Sequence, residues 1–183
     1  RWQVEDEGEI SDLLGIEITR SANLVSLSQT GYIDRLCEKF IPNDDSSAHS
    51  CNVPATDKLA GFVLDALADP YERPTDQVRA FQGIVGALLY AATNTRPDIA
   101  YAVGMLCRAM TRPTAELEEE ALRVVRYLKH TRTLGLRYES SDEPAHGMSD
   151  SDWAVRRSTT GWVFMLSRAA INWASRKQDS IAL

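Results

Sequence analysis

The chain has 183 residues, a formal net charge of −6 and three cysteines, which leaves room for one compact domain or two small ones. Hydrophobic residues make up 44% of the chain and charged residues 25%, which is ordinary for a globular protein and argues against a fibrous or disordered one. The longest apolar run, residues 84–92, is too short to span a bilayer, so we expect no membrane partner. Arg1 is not a methionine, and we expect that it is not a natural start.

The charge is distributed unevenly along the chain. Residues 1–69 carry 13 acids and 5 bases, whereas residues 70–140 carry 8 acids and 10 bases. The mildly basic middle is compatible with contact to a phosphate backbone, but charge alone does not predict nucleic-acid binding. The cysteines are odd in number and widely spaced, which indicates reduced, partly buried thiols in an intracellular protein.

The predicted elements begin with a β-hairpin in residues 9–27. Its strands are residues 14–18 and 24–27, joined by a polar turn at residues 20–23. A short amphipathic helix over residues 30–40 follows, because its apolar residues repeat every three or four positions.

Residues 51–73 show no clear period and contain Pro54, Gly61 and Pro70. This pattern predicts an extended linker, with at most one helical turn near residues 62–67.

The clearest pattern is in residues 75–131, which predict three consecutive helices. The two breaks contain Pro97 and Pro113, and proline fits the first turn of a helix because the amide that it lacks has no partner there. Thr114 is expected to cap the third helix, since four glutamates follow in its first turns. The predicted apolar stripes are Phe81, Val85, Leu88 and Ala92; Ile99, Ala102, Val103, Leu106 and Met110; and Leu117, Ala121, Val124, Val125 and Leu128. Three such stripes predict a small helical bundle.

After Gly135 the pattern changes to that of strands. Residues 136–138 predict a strand, and residues 147–153, 160–166 and 170–174 predict three short strands that begin an antiparallel sheet. Such a sheet needs a further layer over its apolar face, and we expect that this chain does not supply one. The fold class is therefore predicted as α+β, with a β-hairpin, a helical bundle and a partial antiparallel sheet.

Asp150 and Asp152 form the sharpest chemical feature of the sequence. Residues two apart on a strand point to the same side, so both carboxylates could face one divalent ion. The alternative is a pair of solvated acids at a strand end. A basic turn with Arg156 and Arg157 could likewise contact phosphates or simply be exposed.

Six basic residues lie in and after the third helix. They could form an edge that faces phosphates, or they could balance the glutamates and the dipole of the same helix, and both readings stay open. The six are Arg123, Arg126, Lys129, His130, Arg132 and Arg137. The sequence contains no phosphate-binding glycine loop, nucleophile elbow or zinc-binding helix motif.

Seven segments stand out by their content and order. They are LLGIEI, SLSQTGYIDRL, FQGIVGALLYAATNTRPDIAYAV, RVVRYLKHTRTLGLRY, SDSDWA, RRSTTGWVF and INWASRKQ. Together they resemble the reverse transcriptase and ribonuclease H part of the Pol polyprotein of copia-type LTR retrotransposons. The resemblance covers nearly the whole chain and is weakest in residues 46–72.

The resemblance implies a division of the chain into four parts. Residues 1–50 would end the polymerase palm with a primer-gripping hairpin, residues 51–74 would be a linker, residues 75–134 the helical thumb, and residues 135–183 the start of a ribonuclease H-like domain.

The resemblance also implies site residues. Gly15 and Gln29 would lie against the nucleic acid in the hairpin region, and the thumb would hold a duplex through Arg123, Arg126 and Lys129. Asp150 stands at the position of the first catalytic, metal-binding carboxylate.

The implied partners are a primer–template duplex or RNA–DNA hybrid and the rest of Pol, with Mg²⁺ as the ion of the parent family. The expected compartment is the cytoplasm or a virus-like particle, with the nucleus as an alternative. Two-metal hydrolysis needs several converging carboxylates, and in the family most of these lie outside the segments matched here. We therefore expect that this chain alone holds no stable Mg²⁺ and catalyses neither DNA synthesis nor RNA cleavage.

Two departures from the family pattern are visible. The segment between Trp153 and Arg156 is short, and Glu118 stands where the family usually has tryptophan.

Two other functions stay open: a non-catalytic nucleic-acid-binding module, and a structural or interaction protein whose sheet edges need a partner.

Overall fold

The computed structural model describes residues 8–44, 51–151 and 158–178. Within these ranges the fold is mixed α and β, with five α-helices and antiparallel sheets of four and three strands. The strands are β1 (Asp12–Leu13), β2 (Ile16–Ser21), β3 (Leu24–Ser28), β4 (Leu136–Glu139), β5 (His146–Ser151), β6 (Thr159–Leu166) and β7 (Ala169–Lys177). The helices are α1 (Thr30–Phe40), α2 (Leu59–Ala68), α3 (Thr75–Asn94), α4 (Ala100–Arg108) and α5 (Ala115–His130), and a 3-10 turn (Pro97–Ile99) precedes α4.

The first sheet has the strand order β1-β2-β3-β4. The predicted hairpin is confirmed, but its turn is shorter than predicted, because Ser21 already pairs with Leu24. The strand predicted over residues 136–138 is confirmed as β4, which joins this first sheet by pairing with β3, with Leu136 opposite Leu27. Gly135 permits this approach, because a Cβ atom there would collide with the backbone carbonyl of Leu27.

The predicted helical bundle is confirmed. The members of its three apolar stripes are buried, except Met110, which is half-buried at the edge of the core. Thr114 caps α5 as predicted, since its hydroxyl accepts a hydrogen bond of 3.3 Å from the Leu117 amide. None of the described helices is both long enough and apolar enough to cross a bilayer. Cys37, Cys51 and Cys107 are free thiols and half-buried.

The prediction of an extended linker is wrong where α2 forms. Leu59, Val63 and Ala66 follow each other at helical spacing and are buried against the bundle. The segment before α2 is held by α5, because the buried carboxylate of Glu120 accepts a hydrogen bond of 3.1 Å from the Thr56 amide and another from its hydroxyl.

Helix α1 has the predicted bounds, and it is capped by a residue from outside the helix. The side chain of Gln29, at the N-cap position, makes no capping hydrogen bond. Glu17 on β2 replaces it, because its carboxylate accepts a hydrogen bond of 2.7 Å from the Gly31 amide and one of 3.0 Å from the Ser28 hydroxyl. These bonds, that of Gly31 first, lower the pKa of Glu17, and they fix the hairpin to the start of α1.

The second sheet has the order β5-β6-β7, which confirms three of the predicted strands. The expectation that the chain supplies no layer over this sheet is wrong for one face. The Trp173 indole donates a hydrogen bond of 2.7 Å to the carbonyl of Ala92 at the end of α3. Arg108 on α4 donates one of 3.2 Å to the Thr159 hydroxyl. The bundle therefore packs against part of the inner face, and the two sheets are further joined by a bond of 2.8 Å from the Tyr138 hydroxyl to the Ala170 carbonyl.

Candidate nucleic-acid interface

The tip between β1 and β2 is a tight turn with an exposed leucine. Leu14 and Gly15 have φ angles of 56° and 79°, and two positive φ angles are the mark of a type I′ turn. Leucine rarely adopts this conformation, because its Cβ atom crowds the backbone. Nevertheless, Leu14 is 80% exposed, so no burial of its side chain offsets the strain. Strain at an exposed residue, without burial of the side chain, supports the hypothesis of a functional role for this position.

The tip is fixed to the bundle. The hydroxyl of Tyr90 on α3 donates a hydrogen bond of 2.5 Å to the Leu14 carbonyl, and the ring of Tyr90 packs edge-on against Tyr32 of α1, 5.1 Å between centroids. The Gly15 amide donates to a carboxylate oxygen of Asp12 at 3.2 Å. The strained turn is therefore held rigidly by both the sheet and the bundle.

Of the two residues expected to contact nucleic acid in the hairpin region, Gly15 lies at the surface and Gln29 is buried. Gly15 lies at the surface beside the exposed Arg35, whose Nη2 atom would be 3.7 Å from a Cβ atom at this glycine. Gln29 has no exposed surface, and its carbonyl oxygen accepts a hydrogen bond of 2.7 Å from the Thr95 hydroxyl. A residue with no exposed surface cannot present its side chain to a bound duplex. Gln29 instead links the start of α1 to the end of α3 through its hydrogen bond with Thr95.

The three bases that were expected to hold a duplex lie together on α5, and each has a partner within the chain. Arg126 donates hydrogen bonds of 2.7 Å to Asp44 and to Glu119, and Lys129 donates to the Asp44 backbone carbonyl. The Nη1 atom of Arg123 lies 3.4 Å from the Cys51 sulfur. Burial acts to lower the pKa of Arg126, but the bonds to Asp44 and Glu119 outweigh it and raise the pKa. The charge-balance reading is therefore confirmed for Arg126, which pairs with Asp44 and Glu119, whereas contact of this edge with phosphates stays a prediction.

A buried arginine supports the corner between α3 and α4. Arg96 is 1% exposed, and its guanidinium binds both carboxylate oxygens of Asp98, at 2.9 and 2.6 Å. It also donates to the backbone carbonyl and the hydroxyl of Thr131, just beyond α5. The corner is thus tied to the end of the helix that carries the basic edge.

Asp150 lies in a cleft of about 810 Å³ between the 3-10 turn with α4 and the inner face of the second sheet. The register pairs Asp150 with Gly161 and Met148 with Val163, which places these residues on the same face as Trp173. Asp150 is exposed, and one of its carboxylate oxygens accepts a hydrogen bond of 2.8 Å from the Ser151 amide. Asp152, Arg156 and Arg157 lie outside the described residues.

Among the described residues, the donor set around Asp150 does not by itself fit a pair of magnesium ions. Asp98 also lines the cleft, but its carboxylate already binds Arg96 and accepts a hydrogen bond of 2.9 Å from Tyr127. Residues 8–44, 51–151 and 158–178 contain no group of three or more histidine, cysteine or acidic side chains that could hold a metal ion.

Three residues of this region did not emerge from the sequence as important. Arg96 belongs to an Arg-Pro-Asp break, and its spacing of two from Asp98 was compatible with a local ion pair. Glu17 lies in a predicted strand and Tyr90 in a predicted helix, and neither pattern marks the residue as functional. Their partners, Gly31 and Leu14, are distant in sequence, so no local pattern could have indicated these contacts.

Comparison with known proteins identifies the family. The Pol polyprotein from transposon TNT 1-94 of Nicotiana tabacum is 32% identical over 100% of this chain, which corresponds to 14% of that protein. An uncharacterized mitochondrial protein of Arabidopsis thaliana is 34% identical over 99% of this chain and 73% of its own length. The chain belongs to the copia-type retrotransposon Pol family. The Pol polyprotein from transposon RE1 of Arabidopsis thaliana agrees, with 34% identity over 99% of the chain.

This Pol segment corresponds to a small part of the polyproteins that it matches, 14% of one and 12% of another. No family model and no solved structure matches it. These relatives thus confirm the family that the sequence motifs indicate.

Proposed function

We propose that this Pol segment is the duplex-holding part of a reverse transcriptase: the closing hairpin of the palm, the thumb, and the first strands of a ribonuclease H-like domain. Its ligand is an RNA–DNA hybrid or a primer–template duplex, and the rest of Pol is its protein partner. The observation that carries the proposal is the turn at Leu14 and Gly15, which is strained, exposed and yet tied to the bundle through Tyr90.

In this proposal the nucleic acid is contacted at two places. At the tip, Gly15 lets the backbone come close to the ligand because it has no side chain, and Arg35 beside it supplies a charge. On α5, Arg123, Arg126 and Lys129 contact phosphates. Because Asp44 and Glu119 already engage two of these bases, a phosphate must compete with carboxylates of the same chain, and we expect moderate affinity.

Catalysis is not proposed for this chain alone. In the longer Pol proteins Asp150 would supply one carboxylate ligand for Mg²⁺, and other parts of Pol would supply the rest. The compartment proposed is the cytoplasm or a virus-like particle. A purified chain that extended a primed RNA template with nucleotides and Mg²⁺ would contradict this part of the proposal.

The binding proposal is tested by measuring the anisotropy of a labelled RNA–DNA hybrid between about 50 and 200 mM salt. The test variant replaces Arg123, Arg126 and Lys129 with glutamine. The matched control replaces three exposed bases of other elements, Lys58, Arg79 and Lys177, so that both variants lose the same charge.

The expected result is steep salt dependence in the unmodified chain and a slope reduced by about 3 in the test variant, since each phosphate contact contributes about 0.9 to the slope. The control variant should retain most of the slope. The proposal is overturned if the chain does not bind the hybrid at about 50 mM salt, or if the control loses as much affinity as the test variant.

A further inference from the structure

The outer face of the second sheet is not covered by any described element. Trp173 and Val163 pair across β6 and β7, and the Trp173 indole binds the Ala92 carbonyl of the bundle, so the alternate residues point away from the bundle. On β6 these are Trp162, Phe164 and Leu166. Phe164 is 51% exposed and Leu166 is 44% exposed, which is unusual for large apolar side chains on a sheet.

The two aromatic rings are held in place. The Trp162 indole donates a hydrogen bond of 2.8 Å to the Asn172 side chain, and the Arg176 guanidinium lies 5.6 Å from the centroid of its ring. Phe164 lies over Gly147 on β5, where a Cβ atom would be 2.6 Å from the ring. The glycine therefore lets the ring lie close to the strand, while half of the phenylalanine side chain stays in contact with solvent.

The described side chains of this face include one base and no acid, which favours a polyanion over a polycation as its ligand. Among the described residues of β5, β6 and β7 that point outward, none is acidic, and Arg176 is basic. The one described acid of these strands, Asp150, points to the opposite face with Met148. Serine, threonine and asparagine side chains surround the rings and can hydrogen-bond base edges.

We propose that this outer face binds the unstacked bases of a single-stranded nucleic acid. Trp162 and Phe164 are two positions apart on one strand, about 6.6 Å, and each offers a ring on which a base can stack. Single strands are bound in this manner on antiparallel sheets that present aromatic rings beside basic residues. The face, its residues and its ligand differ from those of the duplex interface, so this inference does not depend on the proposed function.

The test measures binding of the full chain to a labelled oligo(dT) and oligo(rU) of about 12 nucleotides. Phe164→Leu removes the stacking ring and keeps an apolar side chain. Tyr101→Leu is the matched control, because Tyr101 is 47% exposed and lies on the bundle side of the same sheet. Arg176→Gln and Arg168→Gln form a second pair, since Arg168 lies in the turn at the far end of β6. Thermal unfolding checks that each variant folds.

Phe164→Leu is expected to weaken oligonucleotide binding by about 5-fold or more, the range of one lost base stack, and Tyr101→Leu should leave it within about twofold. Arg176→Gln should weaken binding more than Arg168→Gln. The duplex-interface triple variant should bind the single strand nearly as well as the unmodified chain.

Three results would overturn the inference. One is an absence of single-strand binding at about 50 mM salt. The second is an equal loss in Phe164→Leu and Tyr101→Leu. The third is a dimer in sedimentation that Phe164→Leu dissociates without loss of oligonucleotide affinity, which would show that a second copy covers this face instead.

Discussion

Arg96 and Asp98, two residues apart, form a doubly hydrogen-bonded ion pair between a buried guanidinium and a partly exposed carboxylate, with Nε and Nη2 at 2.9 and 2.6 Å from the carboxylate oxygens. Arg96 also donates a hydrogen bond of 3.1 Å to the Thr131 carbonyl, and Tyr127 donates to Asp98. Burial acts to raise the pKa of Asp98, but the bonds and charge of Arg96 outweigh it and lower the pKa. The pair joins the corner after α3 to the C-terminal end of α5.

Replacing Arg96 with methionine should destabilise the protein, because the hydrogen bonds of its buried guanidinium to Asp98 and Thr131 are lost. The Asp98 side chain is 31% exposed, so water can hydrate the carboxylate that remains. The expected loss in the free energy of unfolding is about 2 kcal/mol, measured by urea denaturation. Arg132→Met is the control, since its bond of 3.2 Å to Asp34 joins two exposed side chains and should cost less than about 1 kcal/mol. Equal costs for both variants would show that the Arg96–Asp98 pair has no special role.

The capping bond between Glu17 and Gly31 should make stability depend on pH. Because the folded-state pKa of Glu17 is lowered, its contribution is present above the pKa of a free glutamate, about 4.3. It is lost as pH falls through the folded-state value. Glu17→Gln should therefore cost about 1 kcal/mol at neutral pH and much less near pH 3. The control is Glu38→Gln at an exposed site of α1, and a Glu17→Gln cost that does not change with pH would contradict this account.

Gly135 and Gly83 should respond in opposite directions to alanine. At Gly135 the added methyl group meets the Leu27 backbone, which cannot move without disturbing the pairing of β3 with β4, so we expect a loss of about 1–3 kcal/mol. At Gly83, inside α3, a Cβ atom meets nothing within 4 Å, and alanine should stabilise the helix by about 0.5–1 kcal/mol. Thermal unfolding of both variants measures the difference, and a stable Gly135→Ala protein would refute the close-approach argument.

Replacing Leu14 with glycine should separate stability from binding. Glycine adopts positive φ without strain, so the variant should gain about 1 kcal/mol in the free energy of unfolding. The same change removes the exposed side chain at the proposed interface, so affinity for an RNA–DNA hybrid should fall. Denaturation and hybrid binding are measured on the same preparation, and unchanged affinity would exclude the Leu14 side chain from the interface.

The parts of the fold that could be predicted from the sequence are those with local causes. The stripes of α3, α4 and α5 repeat within a few residues of one another, and the cap at Thr114 depends on residues of the same turn. The pairing of β4 with β3 could not be predicted, because it joins residues more than 100 positions apart. Helix α2 could not be predicted, because Pro54 and Pro70, which lie outside it, give the segment the pattern of an extended linker.

The candidate site likewise has features that the sequence predicts and features that only the structure shows. The basic edge could be predicted as a group because its residues lie on one helix, but its carboxylate partner Asp44 comes from another element. Gln29 was placed at the interface by resemblance, and only the packed structure shows that the start of α1 buries it. The strain at Leu14 is a backbone property with no counterpart in the residue type.

The most direct test of the central proposal is a titration of the isotope-labelled chain with an RNA–DNA hybrid, followed by the chemical shifts of its backbone amides. The account predicts that the largest changes occur at Leu14 and Gly15 and along α5 at Arg123, Arg126 and Lys129, with little change at Phe164. Changes confined to other surfaces, or no changes at hybrid concentrations well above that of the protein, would contradict it.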